Sequence, residues 1–532
     1  MCVTCESWSV LISKVEGEAC CCGSAKEVIS LLQLTLSQES HSPCSLMSLS
    51  SFLRLLLAAM SGDRLCGSLQ EIAFCIKRIK VELICILYKI YKEQSPQDPF
   101  LRVSLENILF PLLYVIPCHP HPCESLCKSI LQSFPHPSDI LPFFLPLLNW
   151  GEEEDPPTSH CDAAIPSQGE YDAHRTQSIK YIGHFLSNHW KSLYGTLYSP
   201  DSLLIRDKYV FITIWNQLVR LHTYACYPGF KNYISHLNYL LLPPYHSAAS
   251  PSLWKQELEV LNTALCYGST LGLQNEIPAD IFSLSRRLIS LSKSKDYYSS
   301  ISLPKVLSPG MAGHLADETE HEGKVDTSLG HKFILLHLKA IAILVREAQC
   351  CSSSEESDAS SGAESMINQD LVNIEKSILD IVEYMTNWMR PTFLFQHDAS
   401  FLHMFMKIFR EQDDVLIEGL LCLLDIYIGS KISSEDLSPL IAFQLFSESI
   451  SLDHSVLLDF LLSNETCFLL YFLRFLKYLN RGSRIDLITT QQYQNVYHIL
   501  SNLKKSIDKL TDKGLFPYDI SPVHKLLKHL IK

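Results

Sequence analysis

The residues with the most obvious chemical potential form a short run, Cys118-His119-Pro120-His121-Pro122-Cys123, with Cys127 just downstream. Thiolates and imidazoles at this spacing can hold zinc, which asks for four nitrogen or sulfur ligands in a tetrahedron. The prolines fix the backbone, however, and no second Cys-rich pair follows at finger or ribbon spacing. A loop with buried thiols is the expected state, and no metal is assigned. Cys2-Val3-Thr4-Cys5 is half a site, and the triplet Cys20, Cys21, Cys22 lacks the basic or lipid-partner signal of an acylated segment. Phosphate binding fares no better. Gly323-Lys324 has Glu318 where a phosphate loop needs its first glycine and Val325 where it needs Ser or Thr. His321-Glu322 is not followed by a histidine at 325, and Ser269 has Tyr267 where a nucleophile elbow needs glycine. No catalytic residue and no cofactor are assigned, and a non-enzymatic role is expected.

Charge is the remaining chemistry. The chain carries 44 Lys and Arg against 57 Asp and Glu, a net charge of −13, which excludes a global basic field that would draw it onto nucleic acid. The distribution is uneven. After Tyr471 there are eleven basic and four acidic residues, a net of +7, so the rest of the chain carries −20. Such asymmetry marks a partner surface or two mutually attracting regions. The candidate partner-binding residues are Arg474, Lys477, Lys504, Lys505, Lys509, Lys525 and Lys528. The alternative, a nucleic-acid-associated helical protein using the same segment, lacks a helix-turn-helix, finger or RNA-recognition signature. The acidic serine run 352–365 reads as a solvated linker. Ser352 and Ser353 each have a glutamate three residues on, so phosphorylation there would add about −1.5 to −2 charge per site.

The elements that must position these residues are helices. Phe211, Ile214, Trp215, Leu218 and Leu221 repeat with helical period between Lys208 and Cys226. Ser250-Pro251 gives an N-cap and a proline at the first helical position ahead of Trp254, Leu258, Leu261 and Leu265. Ile374, Ile378, Ile381, Met385 and Trp388 form another stripe, whose helix should stop before Pro391. Phe468, Phe472, Phe475 and Leu479 form a core stripe, with Arg474 and Lys477 on another, solvated face. Clean period-2 alternation is rare. The expectation is an all-α protein, an irregular α-solenoid of HEAT- or armadillo-like helix pairs with disordered acidic loops. The boundaries are an N-terminal helical region 1–150, an acidic linker 151–173, a helical region 174–303, a mobile loop 304–331, a helical region 332–480 containing the loop 349–366, and a C-terminal helical module 490–532. Proline turns at 96–99 and 243–244 would join antiparallel helices.

At 47% hydrophobic and 19% charged, the chain folds rather than remaining disordered. Its 19 cysteines are an odd number in a chain long enough to need no staples, so a reducing compartment is expected, with Cys75, Cys85, Cys422 and Cys467 acting as small hydrophobes. The N-terminus shows no basic region followed by an apolar core. No apolar stretch of about 18–20 residues free of charges and breakers is expected either, so the chain reads as soluble.

Three C-terminal stretches have a more specific character. The first is Phe409-Arg410-Glu411-Gln412-Asp413-Asp414 leading into the apolar run 416–428. The second runs from Ser455 through Asp459-Phe460-Leu461-Leu462-Ser463-Asn464-Glu465-Thr466-Cys467-Phe468 to Arg474. The third is Leu515-Phe516-Pro517-Tyr518-Asp519 followed by Lys525-Leu526-Leu527-Lys528. In this order, from about Phe401 to Lys532, they resemble the Lines family, named for a segment-polarity regulator. The resemblance implies a regulator in Wnt/Wingless-type developmental signalling, acting between cytoplasm and nucleus through signalling or transcriptional proteins; no membrane and no small-molecule substrate are expected as partners. It implies no catalytic residues. The same motifs also have plain packing roles: Asn464 should cap a helix beginning at Glu465, Gly514 should follow a helix end, and Asp519 or Ser521 should open the last helix.

Overall fold

The computed structural model describes Ser51, residues 180–195 except 181, 182 and 185, and residues 205–222, 229–241 and 250–266. It further describes 277–306 except 302 and 304, 324–354, 363–463 except 431 and 433, 465–483, and 493–531. The Cys118–Cys127 run, the Cys20–Cys22 triplet, the linker 151–173 and both proline turns lie outside the described residues. The chain divides into two compact units, Met1–Tyr233 and Ile234–Lys532.

In the first unit, the periodic stripe becomes α1 (Ile205–His222), with Phe211, Ile214, Trp215, Leu218 and Leu221 all fully buried. They pack around Trp190, which stacks on Phe211 at 4.6 Å and meets Trp215 and Tyr233 edge-on at 5.2 and 4.5 Å. Offset and edge-to-face arrangements suit the ring quadrupoles, adding about 0.5–1.5 kcal/mol per pair beyond burial. Gly229, at the start of α2 (Phe230–Leu237), has φ +89, and a Cβ there would sit 1.9 Å from Ser187 Oγ. Only glycine fits that approach.

The second unit contains α3 (Pro251–Ala264), α4 (Ala279–Ser292), α5 (Lys295–Ser299), α6 (Thr327–Ser354), α7 (Ala363–Thr392) and α8 (Phe401–Phe409). It continues through α9 (Asp413–Ser430), α10 (Pro439–Ser449), α11 (His454–Leu462), α12 (Phe468–Tyr478), α13 (Gln494–Asp512) and α14 (Ser521–Leu530). Two series of contacts organise them. In one, α3, α6, α9, α12 and α14 each pack on the next; in the other, α5, α7, α8, α10 and α13 do the same. The chain alternates between the series, with α4 lying on α6 and α11 on α13. The fold is all-α.

The helix starts obey local chemistry. Ser250 Oγ accepts from Leu253 N at 3.4 Å and Pro251 opens α3, as its sequence predicts. Gly514, with φ +64, terminates α13 through bonds from Gly514 N to Thr511 O and from Leu515 N to Leu510 O. Two boundaries differ from expectation. α7 runs through Pro391 to Thr392, because in the last turn a missing N–H removes a single bond that the following cap can spare. α12 begins at Phe468 rather than Glu465: Ser463 Oγ accepts from Glu465 N, and Thr466 Oγ1 from Phe468 N, so a turn precedes the helix. Asn464 itself lies outside the described residues. The segment expected as a loop at 304–331 contributes a two-residue antiparallel ribbon, Lys305–Val306 with Lys324–Val325, and the first turn of α6.

α6 is long and apolar, yet Lys332, Lys339, Arg346 and Glu347 lie within it, so it is not the charge-free stretch whose absence was expected. Residues Thr327–Gln349 are long and apolar enough to cross a membrane by length and composition. Of the qualifying window, 83% is buried within the fold, against α3, α4 and α9, as for a central core helix. α9 is buried nearly all round too. A Cβ on its Gly429 would lie 2.2 Å from Val345 Cγ1 of α6, so the two helices approach closely there.

Candidate interaction surface

The seven basic residues singled out in the sequence separate into three groups. Arg474 is not solvated: its guanidinium donates to Asp425 Oδ2 of α9, and both side chains are largely buried. Lys504 is occupied as well. It donates to Asp508 Oδ2 at 2.9 Å, one turn further along α13, while Asp508 Oδ1 meets His524 Nε2 of α14 at 2.5 Å. Burial alone would raise Asp508, but the bonds from Lys504 and His524 hold it below the usual carboxylate range. This clasp ties α13 to α14. Lys477, Lys505, Lys509, Lys525 and Lys528 are exposed.

The positions of these lysines follow from amphipathic geometry. α13 buries Val496, Ile499, Leu500, Leu503 and Ile507, and α14 buries Val523, Leu527 and Leu530. At 3.6 residues per turn, Lys505, Lys509 and Lys513 fall together on the side of α13 away from that core. Lys525 and Lys528 likewise fall on the side of α14 away from its buried residues.

Arg474 belongs to a second arrangement that the sequence reading missed. Glu259 of α3 pairs with Lys332 of α6; Lys339, two turns along α6, pairs with Glu418 of α9 at 2.8 Å; Asp425, two turns along α9, pairs with Arg474 of α12. Asn262 joins in, donating to Lys332 O at 2.8 Å and accepting at its own carbonyl from Lys339 Nζ at 3.2 Å. One ion pair thus crosses each successive interface of the α3–α6–α9–α12 series. Burial and the neighbouring Lys255 and Lys339 lower Lys332 to about 8. For Lys339, burial pulls downward, but the Glu418 carboxylate outweighs it and the ammonium is held above its ordinary value. The available signal was the seven-residue spacing of charges in otherwise apolar helices, 332 and 339 on one, 418 and 425 on the other.

The thiols beside this ladder are inert. Burial pushes Cys422 well up and Cys467 up to about 12, so both remain protonated at neutral pH. Among the described residues, no group of three His, Cys, Asp or Glu side chains is placed to hold a metal ion.

Two of the distinctive C-terminal stretches meet in space. The Tyr518 hydroxyl donates to Leu461 O at 2.5 Å, fastening the 515–519 turn to the end of α11. Phe516 and Tyr518 meet edge-on at 5.3 Å in that turn.

The Lines N-terminus family model matches residues 209–483, just over half the chain, and the Lines C-terminus model matches 496–530. The match thus begins far upstream of Phe401, where the sequence resemblance begins. The chain is 30% identical over 357 residues to Protein lines of Drosophila melanogaster, covering 60% of this chain and 41% of the fly protein. It is 26% identical over 185 residues to Protein Lines homolog 1 of Homo sapiens, covering 31% of this chain and 22% of the human one. It therefore spans less than half the length of these relatives. No solved structure matches. With both family models matching in order along the helical array, the chain belongs to the Lines family.

Proposed function

We propose that this protein is a non-enzymatic developmental regulator that binds signalling or transcriptional proteins in a Wnt-type pathway, working in cytoplasm and nucleus. The two alternating helix series support reading the second unit as an irregular α-solenoid, a scaffold that presents surfaces rather than enclosing a reaction. The observation that carries the binding site is the contrast in charge pairing. Along α3–α6–α9–α12, each charge of the ladder meets an opposite charge, whereas Lys477, Lys505, Lys509, Lys525 and Lys528 stand exposed at the C-terminal end. Lys505 donates to Asn502 Oδ1 of its own helix at 3.4 Å and Lys525 lies near Asp519, exposed contacts that the carboxylates of a partner can replace.

Charge reversal tests this more cleanly than truncation, because α13 and α14 cover α11 and α12. The full chain and its K505E/K509E/K525E/K528E variant would each be used to purify partners from nuclear and cytoplasmic extracts. Signalling or transcriptional proteins recovered by the first and lost by the second support the reading; equal recovery refutes it. The same lysines sustain the alternative of nucleic-acid association. In that case recovery is nuclease-sensitive and falls steeply with salt, since each neutralised phosphate releases counterions.

A further inference from the structure

The exposed lysines of α13 lead to an exposed apolar edge. Lys505, Lys509 and Lys513 climb one side of the helix over about 12 Å, at 1.5 Å per residue. Beyond them the Gly514 cap turns the chain and leaves Leu515 61% exposed. The backbone at Leu515 is held in place: its N–H is bonded to Leu510 O, and three residues on Tyr518 is tied to Leu461. The tie brings the turn to the end of α11, where Leu462 is 38% exposed. Half-buried Phe516 and Tyr518 complete the edge. Isolated exposed leucines are ordinary on protein surfaces; here two of them flank one tied junction, with Phe516 and Tyr518 half-buried beside them.

The charge beside this edge selects the occupant. Asp508 is consumed by Lys504 and His524, so Asp512 and Asp519, the latter beside Lys525, stand against five lysines, Lys505, Lys509, Lys513, Lys525 and Lys528, and the surface keeps a net positive charge. We propose that the α13–α14 surface and the Leu462–Leu515 edge together bind an acidic segment of a partner protein that carries a large apolar side chain at one end. About four extended residues, or two helical turns, match the lysine row. The apolar residue then packs on Leu515 and Leu462. The inference rests on the protein-binding reading above and specifies its ligand.

The test uses the full chain and a fluorescein-labelled peptide of four alternating Asp and Glu residues followed by Leu-Trp. A control peptide has Ser-Ser in place of Leu-Trp, and a single-stranded oligonucleotide of equal charge serves as a further probe. Fluorescence anisotropy should show the Leu-Trp peptide binding at least tenfold more tightly than the Ser-Ser peptide. L515S should abolish that preference, and K505E/K509E should weaken both peptides at least tenfold. Preferred binding of the oligonucleotide, equal binding of the two peptides, or an unchanged preference in L515S overturns the proposal. Partner recovery by L515S from the same extracts separates the two levels. Loss of partners in K505E/K509E but not L515S leaves the protein-binding reading standing and removes only the apolar anchor. Recovery undiminished in both variants removes both.

Discussion

His337 gives the sharpest physical prediction. It lies in the middle of α6, fully buried, with Nδ1 donating to Phe333 O at 2.8 Å and the rings of Phe333, Tyr298 and Tyr297 within 4.4, 5.7 and 5.8 Å. Nε2 has no hydrogen-bond partner, so nothing there would stabilise a second proton. Burial accordingly lowers its pKa from 6.5 to about 4. The unfolded chain therefore binds a proton that the folded chain refuses. Stability is fully present above the unfolded value and is lost as pH falls through it towards the folded one. Between pH 8 and pH 5 the difference amounts to about 2 kcal/mol, taking 1.36 kcal/mol per unit. Urea unfolding at both pH values, for the wild type and for His337→Leu and His337→Phe, isolates this contribution. His331, also buried and lowered by burial, is common to all three proteins and cancels. Both variants should lose about 2 kcal/mol less than wild type on acidification. An identical loss in all three would refute the reasoning, because the acid sensitivity would then lie elsewhere.

Two further stability outcomes follow from the helix interfaces. Lys339→Met or Glu418→Leu alone strands a charge in the core and should cost about 3–5 kcal/mol, whereas the double substitution should return close to wild type. Chemical denaturation of the four proteins in a double-mutant cycle measures this, and additive losses would dismiss the coupling. Gly429→Ala should destabilise by about 1–3 kcal/mol despite alanine's better helix propensity, because its Cβ meets Val345 at 2.2 Å. Adding Val345→Ala should recover part of that loss, read from the urea midpoint.

What the sequence revealed was whatever depends on neighbours along the chain. The stripes of α1, α3 and α12, the Ser250 cap and the Gly514 stop are properties of residues three or four apart, and the structure places them as read. Boundaries failed where a competing local interaction won. Ser463 and Thr466 hydroxyls hold a turn where helix was expected, and the last turn of α7 tolerates Pro391. α6 was harder for another reason. It carries Lys332 and Lys339 yet is otherwise apolar enough to cross a membrane by composition, and the packing of α3, α4 and α9 around it explains why it is a core helix. The assignment of Arg474 to solvent failed because its partner Asp425 lies 49 residues away, a distance at which no period reports.

The ladder also explains how the same chain can hold its interior together and leave one end free for binding. An apolar interface between parallel layers fixes distance but only weakly fixes slip, since a leucine packs nearly as well one turn along. A buried pair such as Lys339 and Glu418 contributes little net stability over apolar residues, yet a slip of one turn would leave both charges unpaired at a cost of several kcal/mol. That penalty favours a single register between α6 and α9, and to a lesser degree between α9 and α12 through Asp425 and Arg474; the more exposed Glu259–Lys332 pair between α3 and α6 adds less. The α13–α14 module closes differently, through the Asp508 clasp and the Tyr518 tie, both at its edge. Its register is set without using Lys505, Lys509, Lys525 or Lys528. Those amines are left over from the work of folding, which is the condition a surface must meet before its charge can be spent on a partner.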